Sequence, residues 1–533
     1  MVDLLYEYNV ALAYERLAAT APDRAALRIA ANDTMSYRAL DERANRLAAA
    51  FAARGARRGT IVAIAHDKSV DGFAAMLAAL KLGAAYVNLD DQNPPARLAH
   101  IFGAADPVLV VGTAPNANVR EAAAKAATAI FDPSTPDATA ELVAPQPPPL
   151  ARYDVTGADP AYVMFTSGST GVPKGAVISH GNLLNFAAWA LSRFNVTPDD
   201  VFSNLNPMYF DNSVFDFYAA LLNGASIVPV DRVALTDPRA MLALLERERT
   251  TIWFSVPSLL IYLATIRLLD ASRLADVRAF VFGGEGYPKP ELRKLHAIFG
   301  SRARFINVYG PTECTCICSA HDVRLQDLDE RPGFVTLGTI ASNFAMLVLG
   351  EADRPAEPGD VGELCLLGPQ VGLGYVGDPK RSAAAFVQNP CNRRWHERMY
   401  RTGDLVRLAA DGRTLDFVGR KDHQIKHMGY RIELEEIEAA LDALDGVTQS
   451  AVLQVRGARD IQLLVGFVAA ATARTEDSLR AGLAERLPPY MIPQRFEVCD
   501  DLPKNANGKV DRFALARAYD ERVRDARAVS ATS

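Results

Sequence analysis

Ten consecutive residues, Thr166-Ser167-Gly168-Ser169-Thr170-Gly171-Val172-Pro173-Lys174-Gly175, combine glycines, small hydroxyls and one lysine. A loop of this kind turns backbone N–H groups and hydroxyls toward a phosphate chain, and its lysine adds positive charge. It is not a Walker P-loop. That motif needs Ser or Thr directly after Gly-Lys, whereas Lys174 follows Pro173 and precedes Gly175. Turn composition alone would also produce such a stretch. The apolar run Ala161–Phe165 reads as a short buried strand, so the loop leaves a strand end.

Three further clusters carry chemistry. In Asn307-Val308-Tyr309-Gly310-Pro311-Thr312-Glu313 an aromatic face can stack on a purine, Asn307 can hydrogen-bond an exocyclic amine, and Glu313 offers hard oxygen ligation to magnesium. A simple Gly-Pro turn is the plainer alternative. In Tyr400-Arg401-Thr402-Gly403-Asp404 the aspartate is placed to take both hydroxyls of a ribose. Asn505-Ala506-Asn507-Gly508-Lys509-Val510-Asp511-Arg512 is a tight turn presenting Lys509. Cys314, Cys316 and Cys318 alternate, but no second cysteine or histidine pair with zinc-like spacing accompanies them, so small packing residues beside a pocket are expected.

The elements that must position these clusters follow from periodicity. Tyr37–Gly55 has helical spacing with Ser36 as N-cap. Thr60–Ala65 reads as a strand, Asp71–Leu82 as a helix and Ala84–Leu89 as another strand. Ser226–Val230, Thr251–Val256 and Ala279–Phe282 are further strand candidates. Such alternation predicts an α/β fold with largely parallel, covered sheets. Asp132–Asp159, rich in Pro, Ala and Thr, reads as a long surface connection. Turn signals multiply near Tyr400, and a charged segment follows Lys421. We therefore expect a large, multi-subdomain N-terminal α/β domain over residues 1–420 and a small α+β domain over 421–533. In the latter Glu433–Leu444 is the first helix, Ser450–Gln454 and Leu463–Ala469 are strands, and Arg524–Ser533 is a frayed tail.

At 533 residues the chain is too long for one core. A net charge of -6 without basic blocks argues against nucleic acid. The most apolar stretch, around Gly72–Leu89, is interrupted by Lys81 and makes a poor membrane span. Acidic residues stand near the N-terminus where a signal peptide carries basic ones, so the cytoplasm is the expected compartment.

In this order and at these separations the four clusters resemble the core motifs of the adenylate-forming superfamily. The likeness is closest to the amino-acid adenylation domains of nonribosomal peptide synthetases and to D-alanine–carrier-protein ligases. It covers nearly the whole chain, through Met35–Leu40, Leu80–Asp90, Gly362–Cys365, Gly419–Lys426 and Leu487–Pro493. Asn88 departs from the family's frequent proline, outside the chemistry.

The resemblance implies two half-reactions, using ATP and Mg2+. A carboxylate attacks the α-phosphate and expels pyrophosphate, and a phosphopantetheine thiol of a carrier protein then attacks the acyl-adenylate. By the same resemblance Thr166, Ser167, Gly168, Ser169, Thr170, Gly171 and Lys174 handle the phosphates. Asn307 and Tyr309 hold adenine, Thr312 meets the α-phosphate and Glu313 ligates magnesium. Asp404 and Arg420 bind the ribose. Lys509 stabilises the charge formed in adenylation, a task suited to a compact point charge on a long stem. The small domain is implied to be mobile, rotating about a hinge at Asp422 to bring Lys426, His427, Met428 and Gly429 to the site for thioester formation.

Within Phe210–Asp216, the resemblance gives Asp211 the substrate ammonium, since a buried ammonium is costly without a carboxylate. Capping of the following helix is the alternative role. Alignment with the family gives Asp211, Asn212, Phe215, Phe254, Val281, Gly283, Val308, Cys316, Ile317 and Lys509 as pocket positions. This lining implies a small or medium, uncharged amino acid. A free-standing ligase loading a separate carrier is the simplest expectation. A D-alanine–carrier-protein ligase of cell-envelope modification is the nearest alternative, followed by an acyl-CoA synthetase and by a nucleotide-binding regulatory protein without catalysis.

Overall fold

The computed structural model describes residues 8–30, 33–143, 154–168, 171–330, 333–456, 462–471, 474–504 and 510–531. Two compact units emerge. The first comprises residues 1–91, 101–165 and 174–422, and the second residues 92–100, 166–173 and 423–533.

The first unit holds two large sheets. A seven-stranded sheet runs in the order Gly374–Tyr375, Lys174–Ser179, Pro160–Thr166, Ala85–Leu89, Ile61–Ala65, Leu109–Val111 and Ala129–Phe131. Its pairings from Pro160–Thr166 to Ala129–Phe131 are parallel. The strand Ala85–Leu89 is buried along its whole length, as a covered parallel strand requires.

The second sheet has fourteen strands and changes character midway. Ala25–Ala30, Ser226–Pro229, Val201–Asn204, Ile252–Ser255, Ala279–Gly283 and Arg304–Tyr309 lie parallel. From Arg304–Tyr309 onward the pairings are antiparallel, through Ser319–Asp322, Gly338–Ile340, Thr414–Arg420, Arg398–Leu408, Val361–Leu367 and Ala345–Leu349.

Local chemistry explains the elements. Ser36 caps the helix Tyr37–Ala53 by accepting from the Ala39 N–H. The helix Val70–Lys81 is capped by Ser69 and buried on nearly all sides. Lys81 at its end is 1% exposed, neutralised by Glu15 and by Asp41 at 2.9 Å. Among the described residues no helix is long and apolar enough to cross a membrane.

The second unit is α+β. Its sheet pairs Val447–Arg456 antiparallel with Gln462–Ala470, which pairs parallel with Arg495–Cys499. A hairpin joins Gln424–His427 to Tyr430–Glu433, and the helices are Leu434–Asp442, Glu476–Ala484 and Arg512–Ala531.

Three expectations need correction. Part of the Asp132–Asp159 stretch is a helix, Pro136–Val143, which buries Ala138 and Leu142 and pairs Glu141 with Arg54 at 2.9 Å. The turn signals at Arg401–Asp404 belong to the strand Arg398–Leu408, whose register against Val361–Leu367 breaks between Arg401 and Leu405. Gly403 there has φ +73, so the glycine serves a bulge. The expected tail from Arg524 continues the helix Arg512–Ala531.

Candidate active site

Three neighbouring parallel strands end together in the first unit. Their register places Phe254 opposite Val281, and Gly283 opposite Val308. Period-2 alternation then puts all four residues on one face. The carboxyl ends of parallel strands, where a sheet changes its connection pattern, are the usual ligand crevice of open α/β sheets. Gly283 has a steric reason: a Cβ there would stand 2.5 Å from the Val308 carbonyl oxygen.

Phe215 closes this face. It opens the π-helical turn Phe215–Ala219, and its ring meets Phe254 edge-on at 5.1 Å, with Phe194 and Phe202 at 4.8 and 5.4 Å. Phe215, Phe254, Val281, Val308, Cys316 and Ile317 belong to one buried cluster. Burial pushes the Cys316 thiol far above its ordinary range, and the nearby Asp211 charge adds to the effect. Cys314 and Cys318 are buried too. Asn212 lies beside Gly284, where an added Cβ would be 3.5 Å from its Nδ2.

Asp211 does not cap the helix that follows it. Its Oδ2 accepts a hydrogen bond from the Thr312 hydroxyl at 2.6 Å. The structure thus joins two residues singled out for different substrates, one for an ammonium and one for a phosphate. They are held close by the strand–turn Arg304–Cys314. The turn is tight: a Cβ at Gly310 would stand 2.2 Å from the Cys316 carbonyl oxygen, and Thr315 and Cys316 both adopt left-handed φ.

The residues expected to meet the nucleotide form two further groups. Tyr309 donates to Asp404 Oδ2 at 2.5 Å, and Arg420 Nη1 donates to Asp404 Oδ1 at 2.6 Å. Arg420 also holds Asp422. Asn307 Nδ2 donates to the Thr336 carbonyl at 2.9 Å, which leaves its Oδ1 as the acceptor that an exocyclic amine needs. Glu313 is 0% exposed and is balanced by Lys174 at 3.2 Å and the Tyr375 hydroxyl at 2.7 Å. Tyr375 escaped the sequence reading, although it stands in the Gly-Leu-Gly-Tyr run 372–375.

The second unit holds the other predicted residues. Ser167 Oγ donates to the Arg431 carbonyl at 2.7 Å and accepts from the Glu433 N–H at 3.2 Å. The Gly168 N–H donates to Glu436 Oε2 at 3.1 Å, and Glu436 is ion-paired with the buried Arg97. Thr166 is buried, and Gly171 has φ +78. Lys426 is exposed on the hairpin whose tip is Met428-Gly429. Ser169, Thr170 and Lys509 lie outside the described residues.

One buried carboxylate suits magnesium, which takes few protein ligands and leans on phosphate oxygens and water. Among the described residues no group of three or more His, Cys, Asp or Glu side chains is placed to hold a metal ion.

Comparison with known proteins agrees with this architecture. Residues 14–376 match the AMP-binding enzyme family, and residues 436–509 match the AMP-binding enzyme C-terminal domain. The chain is 38% identical over 505 residues to an L-proline–[L-prolyl-carrier protein] ligase of Pseudomonas fluorescens, covering 91% of this chain and 94% of the relative. A ligase of the same name from Streptomyces coelicolor is 35% identical over 503 residues, covering 90% and 91%. A solved nonribosomal peptide synthetase protein with adenylation and carrier domains, bound to a vinylsulfonamide inhibitor, superposes with a TM-score of 0.82 at 28% identity. That match covers 96% of this chain and 84% of the other. The chain belongs to the AMP-binding enzyme family, on the branch shared by amino-acid–carrier-protein ligases and the adenylation domains of peptide synthetases.

Proposed function

We propose that this chain is a cytoplasmic, AMP-forming ligase that activates a small, uncharged amino acid with ATP and passes it to the phosphopantetheine thiol of a carrier protein. The observation that carries the substrate reading is Asp211. It is a carboxylate at the edge of an apolar, aromatic-walled cluster, held by Thr312 and unused as a helix cap. A buried ammonium needs such a partner, and a fatty or aryl acid does not.

The roles of the remaining residues are those the family resemblance implies, and the geometry of several of them supports the reading. Adenylation changes a carboxylate into a mixed anhydride, so the protein must orient two anions and neutralise their charge. Thr312, already bonded to Asp211, links the ammonium anchor to the place of the α-phosphate. Tyr309 and Arg420 fix the Asp404 carboxylate for the ribose hydroxyls. Lys174 and Tyr375 fix Glu313, which would hold Mg2+. When bound, that ion supplies charge neutralisation on phosphate oxygens. By the resemblance Thr166, Ser167, Gly168, Ser169, Thr170, Gly171 and Lys174 are assigned to the departing pyrophosphate, Lys509 to the charge of the adenylation step, and Lys426 with its hairpin to thioester formation.

The two ligases that match along most of their length are named for L-proline. A small apolar ring suits a site walled by Phe215 and Phe254, so L-proline is the first amino acid to test. ATP–pyrophosphate exchange across proteinogenic amino acids, D-alanine and coenzyme-A-dependent acids checks the reading. Highest exchange with a small uncharged amino acid, followed by loading of a holo-carrier rather than coenzyme A, is the expected result. Preference for a charged amino acid, or equal use of coenzyme A, would contradict it.

A further inference from the structure

Behind the aromatic walls lies a buried polar cluster that none of these roles uses. Asp216 is 0% exposed and directly follows Phe215 in the π-helical turn. Its Oδ2 accepts from Asn204 Nδ2 at 3.2 Å and from Asn206 Nδ2 at 3.1 Å. Asn206 Nδ2 also donates to the Phe254 carbonyl at 3.2 Å. Asp216 Oδ1 is buried with no hydrogen-bond partner. Beneath the same loop, Lys68 Nζ donates to the carbonyls of Asn204, Leu205 and Val230 at 2.7, 3.2 and 2.7 Å.

The cluster is costly. Burial, opposed by the Asn206 hydrogen bond and by the Lys68 charge, pushes the Asp216 carboxyl up to about 8. Burial pushes Lys68 down to about 7. Burying polar groups without full hydrogen bonding costs free energy, and well-packed apolar residues in their place usually match or exceed them in stability, so stability alone does not account for these groups. Single π-helical turns occur frequently at functional sites.

We infer that Asp216 is a positioning residue for amino-acid selection, tying the turn that carries Phe215 to the strand end that carries Phe254 through the Asn206 amide. The inference rests on the pocket reading given above. The carboxyl–amide–carbonyl chain sets the distance between the two walls, and Asp216 itself touches no substrate. Discrimination of one methylene depends on how rigidly a pocket wall is held, and typically amounts to about 10- to 200-fold. A carboxyl oxygen accepting from two amides on one loop supplies that rigidity.

The test is steady-state pyrophosphate exchange by the full chain, with the best amino acid and a homologue one methylene larger. Asp216→Leu is expected to raise KM for the amino acid about tenfold or more. KM for ATP should stay within about twofold, and the ratio of kcat/KM between the two amino acids should fall at least fivefold. Asp216→Asn keeps a carbonyl acceptor and should retain most of the ratio. Simple loss of folded protein lowers kcat for both substrates alike and leaves the ratio unchanged. Should Asp216→Leu fail to fold, Asn206→Leu, which removes the bridge itself, is expected to show the same split. Phe254→Ala separates the two levels of the argument. If it shifts the ratio while the Asp216 and Asn206 variants do not, the positioning role is overturned and the pocket stands. If Phe254→Ala also leaves the ratio unchanged, both are overturned.

Discussion

His180 illustrates what a single buried ring contributes. It opens the helix His180–Phe194, is 0% exposed, and its Nδ1 accepts the Val10 N–H at 3.1 Å. Only the unprotonated nitrogen can accept. Burial pushes the ring down to about 4, partly offset by Asp159. Below its ordinary value of about 6.5 the unfolded chain therefore binds more protons than the native one. Stability from this group is present above about 6.5 and is lost as pH falls toward 4, on the order of 3 kcal/mol over the full range. Thermal melts of wild type and His180→Gln between pH 7 and pH 4.5 should converge as the pH drops, because the variant lacks this acid sensitivity. Parallel pH dependence of the two melts would contradict the assignment. At the same scale Asp211 is legible only through the family resemblance, which gives it the substrate ammonium. The Thr312 hydroxyl that replaces helix capping was not, because the two residues meet only through the fold.

At the scale of elements, the turn after the strand Arg304–Tyr309 organises the site. It brings Thr312 to Asp211 and sets Glu313 beside Lys174. Gly310 lets the chain approach the Cys316 carbonyl more closely than any Cβ permits. Gly310→Ala should therefore force the two backbones apart. We expect a destabilisation of about 1–3 kcal/mol, as for other overpacked sites, and a fall in exchange activity larger than the loss of folded protein. Calorimetry alongside an exchange assay checks both, and unchanged activity in folded Gly310→Ala would contradict the tight-turn argument.

Elements with strong periodicity and clear caps, such as Tyr37–Ala53 and Ala85–Leu89, were readable within a residue or two. Arg401–Asp404 was misread because a bulge glycine and a turn glycine share one composition. Pro136–Val143 was missed because Ala, Pro and Thr hide a helix of which only Ala138 and Leu142 are buried. The Lys68–Asn204–Asp216 group left no local signal at all. Its members come from separate elements, and only tertiary packing makes them neighbours.

At the scale of the whole molecule, the chain divides after Asp422. The hinge proposed at Asp422 is a residue that must absorb a large backbone change. Asp422→Pro fixes φ near -65° and removes one donor. It is expected to retain pyrophosphate exchange while carrier loading falls at least tenfold. Equal loss of both activities would argue against the hinge. The repertoire of the two units also explains what the sequence could convey about function. The phosphate loop, the Asn307–Glu313 turn and the Tyr400–Asp404 strand are contiguous segments, so their order and spacing carried the family likeness. The proposed substrate pocket draws on Asp211, Phe215, Phe254, Gly283 and Cys316 from many elements, so the sequence conveys only its outline.

The account turns on Asp211 as the anchor for an ammonium. The most direct measurement is pyrophosphate exchange by wild type and Asp211→Ala, each with the preferred amino acid and with the same acid lacking its amino group. Wild type should use the amino acid at least a hundredfold better than the deaminated acid, and Asp211→Ala should lose most of that preference. Full activity of Asp211→Ala on the amino acid, with the preference intact, would contradict the central claim.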